Sequence, residues 1–333
     1  MAEWLIERGI GEIRAALVDQ GAILEAHIER QEGGVRAGTV AAARLTRQLI
    51  AARRGIVLLE GGEEALLEPI PPATSEGATL RVEIVRERIP EPGRAKLAKA
   101  RGVSGDEALR PGPDLVARIA AAGQPAIVLL PHQPDRLEEA GWSELLEEAA
   151  TGEIVFAGGA LRISLTPAMT LIDIDGALPP RELALAGARA AGLAIRRMGI
   201  GGSIGIDLPT LPGKPDRIAA AEALDAALPQ PFERTAVNGF GFLQLIRRRT
   251  HASLPELLQG DPVRAAAMAL LRRAERRTGR GALTLAAAPP VIALIEANPE
   301  WTRQLSRSIG APVALHADPA RPISAGDASS EIP

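Results

Sequence analysis

The chain has 333 residues, 46% of them hydrophobic, and a formal net charge of −3; that is enough for two or three domains, with no bulk attraction to nucleic acid or anionic membranes. Cysteine is absent, which excludes disulfides, thiolate catalysis and Cys-based zinc sites. Four Phe, three Trp and no Tyr leave little material for stacking on bases, and without an apolar run of membrane-spanning length or a signal-peptide core, a cytoplasmic protein with no membrane partner is expected.

Residues 1–30 read as short strands, "EIRAALVD" and "AILEAHIER" flanking a Gln20-Gly21 hairpin turn. Short β-prone segments follow, broken at Gly38, Gly55 and Gly61-Gly62 and closed by "ATLRVEIVRERI". Strands at this spacing predict a small barrel, which completes a first unit over 1–89. Residues 90–149 begin with the Pro- and Gly-rich "PEPGRAKLAKARGVSGDEALRPGP", a connector, and continue as a reduced α/β segment.

In 150–252, the strand "MTLIDID", the helix "PRELALAGARAAGLAIRRMG", the strand "SIGIDLP", the helix "KPDRIAAAEALDAALP" and the strand "FERTAVN" alternate. This order predicts a central parallel sheet with right-handed βαβ crossovers. Arg247, Arg248 and Arg249 follow an apolar run and are expected to end a helix, where cations favour the macrodipole. Residues 253–320 form a small C-terminal α/β domain, and 321–333 are expected to be a frayed tail.

Asp173 and Asp175 lie two positions apart, so a strand projects both from one side. Asp207 ends the next βαβ-linked strand, at the sheet edge where ligands bind in open α/β folds. Acids converging there make a hard oxygen site suited to Mg²⁺ or Mn²⁺. The competing reading makes Asp175 and Asp207 turn formers or helix N-caps.

At "TLIDIDG" (170–176), "GGSIGIDLP" (201–209) and "NGFGFLQLIRRRT" (238–250) the chain resembles the ribonuclease E/G family of bacterial endoribonucleases, whose pattern is T-I-D-[IV]-N, a Gly-Gly turn into a strand ending I-D, and R-F-G-L-L-E-x-x-R-x-R. The resemblance implies an α/β fold in which an N-terminal OB-like RNA-binding barrel joins a nuclease-like catalytic domain. It places Asp173 and Asp207 as catalytic ligands of Mg²⁺ (or Mn²⁺), with Asp175 where the family has a supporting Asn. It implies cleavage of single-stranded RNA phosphodiesters by metal-activated water, with RNA contacts at Phe240, Arg247 and Arg249. Arg53 and Arg54 of the barrel are further phosphate contacts. The family's longer loop after the first acid is reduced here to "GALPP", Gly239 replaces Arg, the 5′-sensing region is largely missing, and a homo-oligomer would not be linked through Cys-zinc.

"GGSIG" (201–205) matches a nucleophile elbow literally, but a helix precedes it and a strand follows, the reverse of what that turn requires. "GIGGSIG" fails as a dinucleotide loop for the same reason. "LLRRAERRTGR" (270–280) reads as a solvated basic helix face, with RNA contact as the competing reading. Two other functions stay open: a catalytically weak RNA-binding or regulatory paralogue, and a metal-dependent phosphohydrolase acting on small molecules.

Overall fold

The computed structural model of the chain describes residues 1–31, 33–277 and 281–330. Strands β1 (Glu3–Arg8), β2 (Glu12–Asp19) and β3 (Ala22–Arg30) form an antiparallel meander. Gln20 and Gly21 both take positive φ, the geometry a two-residue hairpin requires. Next come β4 (Val40–Ile50), β5 (Arg54–Leu59), β6 (Glu64–Leu67), β7 (Thr79–Arg86) and β8 (Ala98–Gly102), which close a barrel in the order β4-β5-β6-β8-β7. Alternate residues, among them Leu45, Val57, Leu67, Val82 and Ile84, fill its interior. The barrel thus runs past residue 89, because β8 pairs parallel to β6 and antiparallel to β7.

After the barrel come α1 (Leu115–Ala121), β9 (Ala126–Leu129), α2 (Arg136–Glu139) and α3 (Trp142–Thr151). Strand β9 adds parallel to β1, so the first sheet has the order β3-β2-β1-β9. The first thirty residues therefore do not belong with the barrel. They form a layer with α1 packed on one face, through Leu115 and Ile119, and a large common core on the other.

That common core reaches a second sheet. Its strands are β10 (Glu153–Phe156), β11 (Gly159–Leu165), β12 (Thr170–Gly176), β13 (Gly202–Asp207), β14 (Glu233–Arg234) and β15 (Phe242–Arg247), in the order β10-β11-β12-β13-β15-β14. Helices α4 (Pro180–Arg197) and α5 (Lys214–Ala227) belong to its βαβ region, and α6 (Leu254–Gly260) follows it. Only the β12–β13 pairing in this sheet is parallel, so it is mixed rather than the parallel sheet expected. "FERTAVN" contributes just a two-residue edge strand, and the run before Arg247–Arg249 is strand β15, antiparallel to β13, not a helix. The alternating burial of Leu243 and Leu245 against Phe242, Gln244 and Ile246 accounts for it.

The chain ends with α7 (Pro262–Glu275), β16 (Leu283–Ala287), α8 (Pro289–Glu296), α9 (Pro299–Ile309), β17 (Val313–Ala317) and β18 (Asp327–Ser330). Strand β18 pairs with β16, and Arg273 and Arg277 hold it by donating to Gly326 O and Ser330 Oγ. The tail expected to be frayed over 321–333 is therefore structured over 321–330, and residues 331–333 lie outside the described residues. Among the described residues no helix is long and apolar enough to cross a membrane.

Within the basic cluster Arg272 and Arg276 are ion-paired rather than solvated, Arg273 is exposed, and Arg280 lies outside the described residues. Arg272 pairs with Glu12 at 3.4 Å, and Arg276 pairs with Glu7 and, at 3.0 Å, with Asp135. Buried Arg14 also bonds Glu7 and Asp135, at 3.1 and 2.7 Å. These charges clamp α7 to the first sheet. Glu275 accepts a hydrogen bond from the Ile10 N–H at 3.1 Å, and burial, helped by the neighbouring Glu7 charge, pushes its pKa up from 4.5 to about 7.

Between those two values the folded chain keeps a proton that the unfolded chain has lost, so this group's contribution to stability falls as pH rises through the window. Glu275→Gln retains an acceptor for Ile10 and cannot ionise. Urea melts across pH 4–8 are expected to show the variant matching the parent below about 4.5 and exceeding it above about 7, by roughly 2–3 kcal/mol.

Candidate active site on the open sheet face

Strand alternation divides the second sheet into two chemically different faces. Ile172 and Ile174 of β12, Ile204 and Ile206 of β13, and Leu243 and Leu245 of β15 join the common core. The opposite face carries Asp173 and Asp175, then Ser203, Gly205 and Asp207, then Phe242, Gln244 and Ile246. It is left to solvent: Val155 is 82% exposed and Ile246 58%.

Register places the acids. Asp173 lies directly opposite Asp207 in the parallel β12–β13 ladder, about 4.8 Å away from backbone to backbone. The row continues to both sides, Asp173 facing Arg162 of β11 and Asp207 facing Phe242 of β15. Glu153 faces Arg162 at the far end. Asp175 lies two residues further along, beyond the last β12–β13 pair, opposite Ala160. The structure thus brings two of the three acids together and leaves the third beside them. Arg162, which no motif marks, and Phe242, which lies in the 238–250 motif without being singled out, become neighbours of the acids only once the register is known.

Asp173 is half-buried and Asp207 exposed, and among the described residues neither side chain accepts a hydrogen bond or forms an ion pair, nor does that of Asp175. Like charges directly opposite on neighbouring strands repel. None of the three is a helix N-cap, since Pro179 and Gly213 stand at those positions of α4 and α5. Among the described residues no three His, Cys, Asp or Glu side chains gather into a metal-binding set. Two free carboxylates still suit Mg²⁺, which commonly takes one or two protein carboxylates and completes its shell with waters and substrate phosphate oxygens.

Beyond the end of β13 a tight turn presents Phe240. Asn238 Oδ1 accepts from the N–H groups of Phe240 and Phe242, at 2.9 and 3.0 Å. Gly241 has φ +93°, and a Cβ there would sit 2.2 Å from Leu208 O, so only glycine closes the turn. Phe240 is left 84% exposed next to the Asp207 end of the strand.

The expected arginine contacts lie elsewhere. Arg247 pairs in register with Gly202, five residues along β13 from Asp207, or roughly 16 Å at about 3.3 Å per residue. Its guanidinium donates to Ile200 O at 3.3 Å, on the core side, and burial lowers its pKa. Arg249 packs over Gly202 and bonds Glu256 Oε1 at 2.7 Å. Arg53 and Arg54 cluster with Lys99 around Glu68 on the barrel, Arg54 at 2.8 Å and Arg53 at 4.0 Å. Hydrogen bonds from Lys99 and Arg54 hold the Glu68 carboxyl below its usual range.

No known family model matches the chain, and no curated protein does.

Two outcomes follow from this geometry. If Asp173 and Asp207 jointly attract a cation, adding millimolar Mg²⁺ raises Tm in the parent chain, and Asp173→Asn or Asp207→Asn removes the rise while leaving the metal-free Tm unchanged or slightly higher, because one repulsion is gone. Arg249→Ala strips the cation from Glu256, whose other oxygen accepts from Ser253 N–H in the α6 capping box at 2.8 Å. Urea denaturation is expected to show a loss of about 1–3 kcal/mol.

Proposed function

We propose that this chain is a Mg²⁺-dependent endoribonuclease of the ribonuclease E/G type, acting in the cytoplasm on single-stranded RNA. One observation carries the reading: Asp173 and Asp207 stand opposite each other on the exposed face of a parallel strand pair, and among the described residues neither carboxylate takes part in a hydrogen bond or ion pair. Acids kept this close at the C-terminal ends of βαβ-linked strands make sense as ligands for an ion. Support comes also from the closed five-stranded barrel, whose order, first-second-third-fifth-fourth, is compatible with an OB-like RNA-binding domain.

Asp173 and Asp207 would hold the ion, which when bound supplies charge neutralisation at the phosphate and a lowered pKa for the attacking water. The side chains themselves do the rest. The half-buried Asp173 fixes position through its strand, flanked by Ile172 and Ile174 in the core. Asp207 is exposed enough to be reached from solvent. Asp175 adds a third negative charge that strengthens the local pull on a cation and repels an approaching phosphate. Phe240 offers an apolar ring at the same edge.

Cleavage of a fluorophore-quencher RNA oligomer, run beside a small phosphodiester, tests this reading. Mg²⁺-dependent RNA cleavage lowered on the order of a hundredfold or more by Asp173→Asn and by Asp207→Asn is the expected result. Asp175→Asn is expected to cleave at least as fast as the parent, and loss of activity in it would make Asp175 a ligand. RNA binding without cleavage would instead favour a regulatory paralogue, and hydrolysis of only the small diester a phosphohydrolase.

A further inference from the structure

The first sheet ends in an open edge. Among the described residues strand β9 pairs with β1 alone, and every residue from Ala121 to Val128 is exposed. Ile127, Val128 and Leu130 all leave large apolar side chains in solvent. Edge strands are normally blunted by charge, by proline or by a covering element. The opposite edge shows this: β3 carries Glu25, Glu29 and Arg30 and packs against α4 and α6. Around β9, by contrast, residues 119–134 hold no Asp, Glu, Lys or Arg.

Backbone parity decides which groups the edge offers. Trp4 N–H donates to Pro125 O at 2.7 Å, so in the parallel ladder the odd-numbered residues of β9 turn their backbone groups toward β1 and the even-numbered ones turn theirs outward. Pro125 therefore withholds no outward donor, and Pro131 lies past the strand end. Leu130 is capped: its N–H donates to Gln133 Oε1 at 2.9 Å and its carbonyl accepts from Gln133 N–H at 3.0 Å. What stays open within the strand, among the described residues, is the N–H and C=O of Ala126 and of Val128.

We infer that two copies of this chain join through β9, antiparallel about a twofold axis at Ile127, making one continuous sheet across the pair. In that register Ala126 of each copy exchanges both hydrogen bonds with Val128 of the other, and no open group is left over. Moving the register by two residues sets Ala126 or Val128 against itself and leaves the other opposite a residue outside the strand. Ile127 meets its own copy as a non-hydrogen-bonded pair, with Cα atoms about 4.5 Å apart and side chains in contact. Ile127 lies beside Leu5 on the common-core side of the sheet and Val128 beside Ile6 on the α1 side, so apolar groups meet across the seam on both faces. A second copy fits this edge better than a foreign strand does. It arrives already extended, without ordering entropy to repay, and a stretch without charge opposes no like charges when it meets itself. So small a seam gives a reversible dimer.

Sedimentation equilibrium of the full chain, from low to high micromolar concentration, is expected to show monomer and dimer in exchange. Val128→Pro removes an outward donor from each copy and leaves the β1 ladder intact, since an edge strand tolerates proline where its N–H faces solvent. It is expected to weaken the dimer about tenfold or more, while the urea midpoint of dilute protein stays that of the parent. Ile127→Lys opposes two ammonium groups at the axis and is expected to weaken the dimer likewise. Because the chain has no cysteine, single substitutions to cysteine, oxidised with copper phenanthroline, read the register directly. Ile127→Cys is expected to give a disulfide-linked dimer, its paired positions lying within disulfide reach. Val128→Cys is not, because its two copies lie diagonally about 7–8 Å apart. A parent that stays monomeric would overturn the inference and leave the edge to a strand of another polypeptide. So would a dimer indifferent to Val128→Pro and Ile127→Lys, or equal cross-linking through Ile127→Cys and Val128→Cys.

Discussion

The close approach of helix α4 to two sheets at once is the constraint on which the rest of the molecule depends. The helix is rich in small residues, and each is small for a neighbour. A Cβ on Gly187 would meet Ile174 Cγ2 at 2.5 Å, and one on Gly192 would meet Ala227 Cβ at 2.9 Å. Ala184, Ala188, Ala191 and Ala194 are buried in the same core as Leu5 and Ala16 of the first sheet and Ile172 and Ile204 of the second. A larger residue at these positions would push one layer away, and close-packed interiors do not absorb that cheaply.

That helix also connects β12 to β13, so the packing that positions the layers holds the two strands in register. Thr170 opposite Ile204 and Asp173 opposite Asp207 are two ends of one ladder. A slip of one residue would bring Ile206 out to the face and take Asp207 into the core, at prohibitive desolvation cost. Core packing on one face is thereby converted into charge placement on the other.

The β12-α4-β13 unit is legible in the sequence because its signals are local. Pro179-Pro180 opens the helix, Gly199 with φ +65° follows its end, and Ile alternates with Asp or Gly on both strands. Strand β15 was not legible: Phe242, Leu245 and Ile246 satisfy a helical spacing, and only pairing with β13 selects the strand. Arg272 and Arg276 look like surface charges because their partners, Glu12 and Glu7, are more than two hundred and fifty positions away in the chain. For the same reason β18, a polar "DASS", carries no hint of its pairing with β16. Of the candidate site, the acid pair was readable from motif order; Arg162 and Phe242 were not, since their relation to it exists only in the register of neighbouring strands.

The barrel leaves and rejoins its host at a single place. Val40 and Arg110 bridge each other through paired backbone hydrogen bonds of 2.9 and 3.0 Å, and Gly112 lies so close to Ala37 O that a Cβ there would be 2.4 Å away. An excursion whose ends already touch costs the host little in topology, because loop-closure entropy grows only slowly with the length enclosed. The far side of the barrel can therefore vary in length, whereas its Glu87–Lys96 connection is tied to the host, Glu87 N–H donating to Thr250 O at 2.8 Å and Lys96 Nζ to Pro167 O at 3.1 Å. In this architecture the barrel and the sheets around α4 keep separate cores, while the chain passes between them through one backbone bridge.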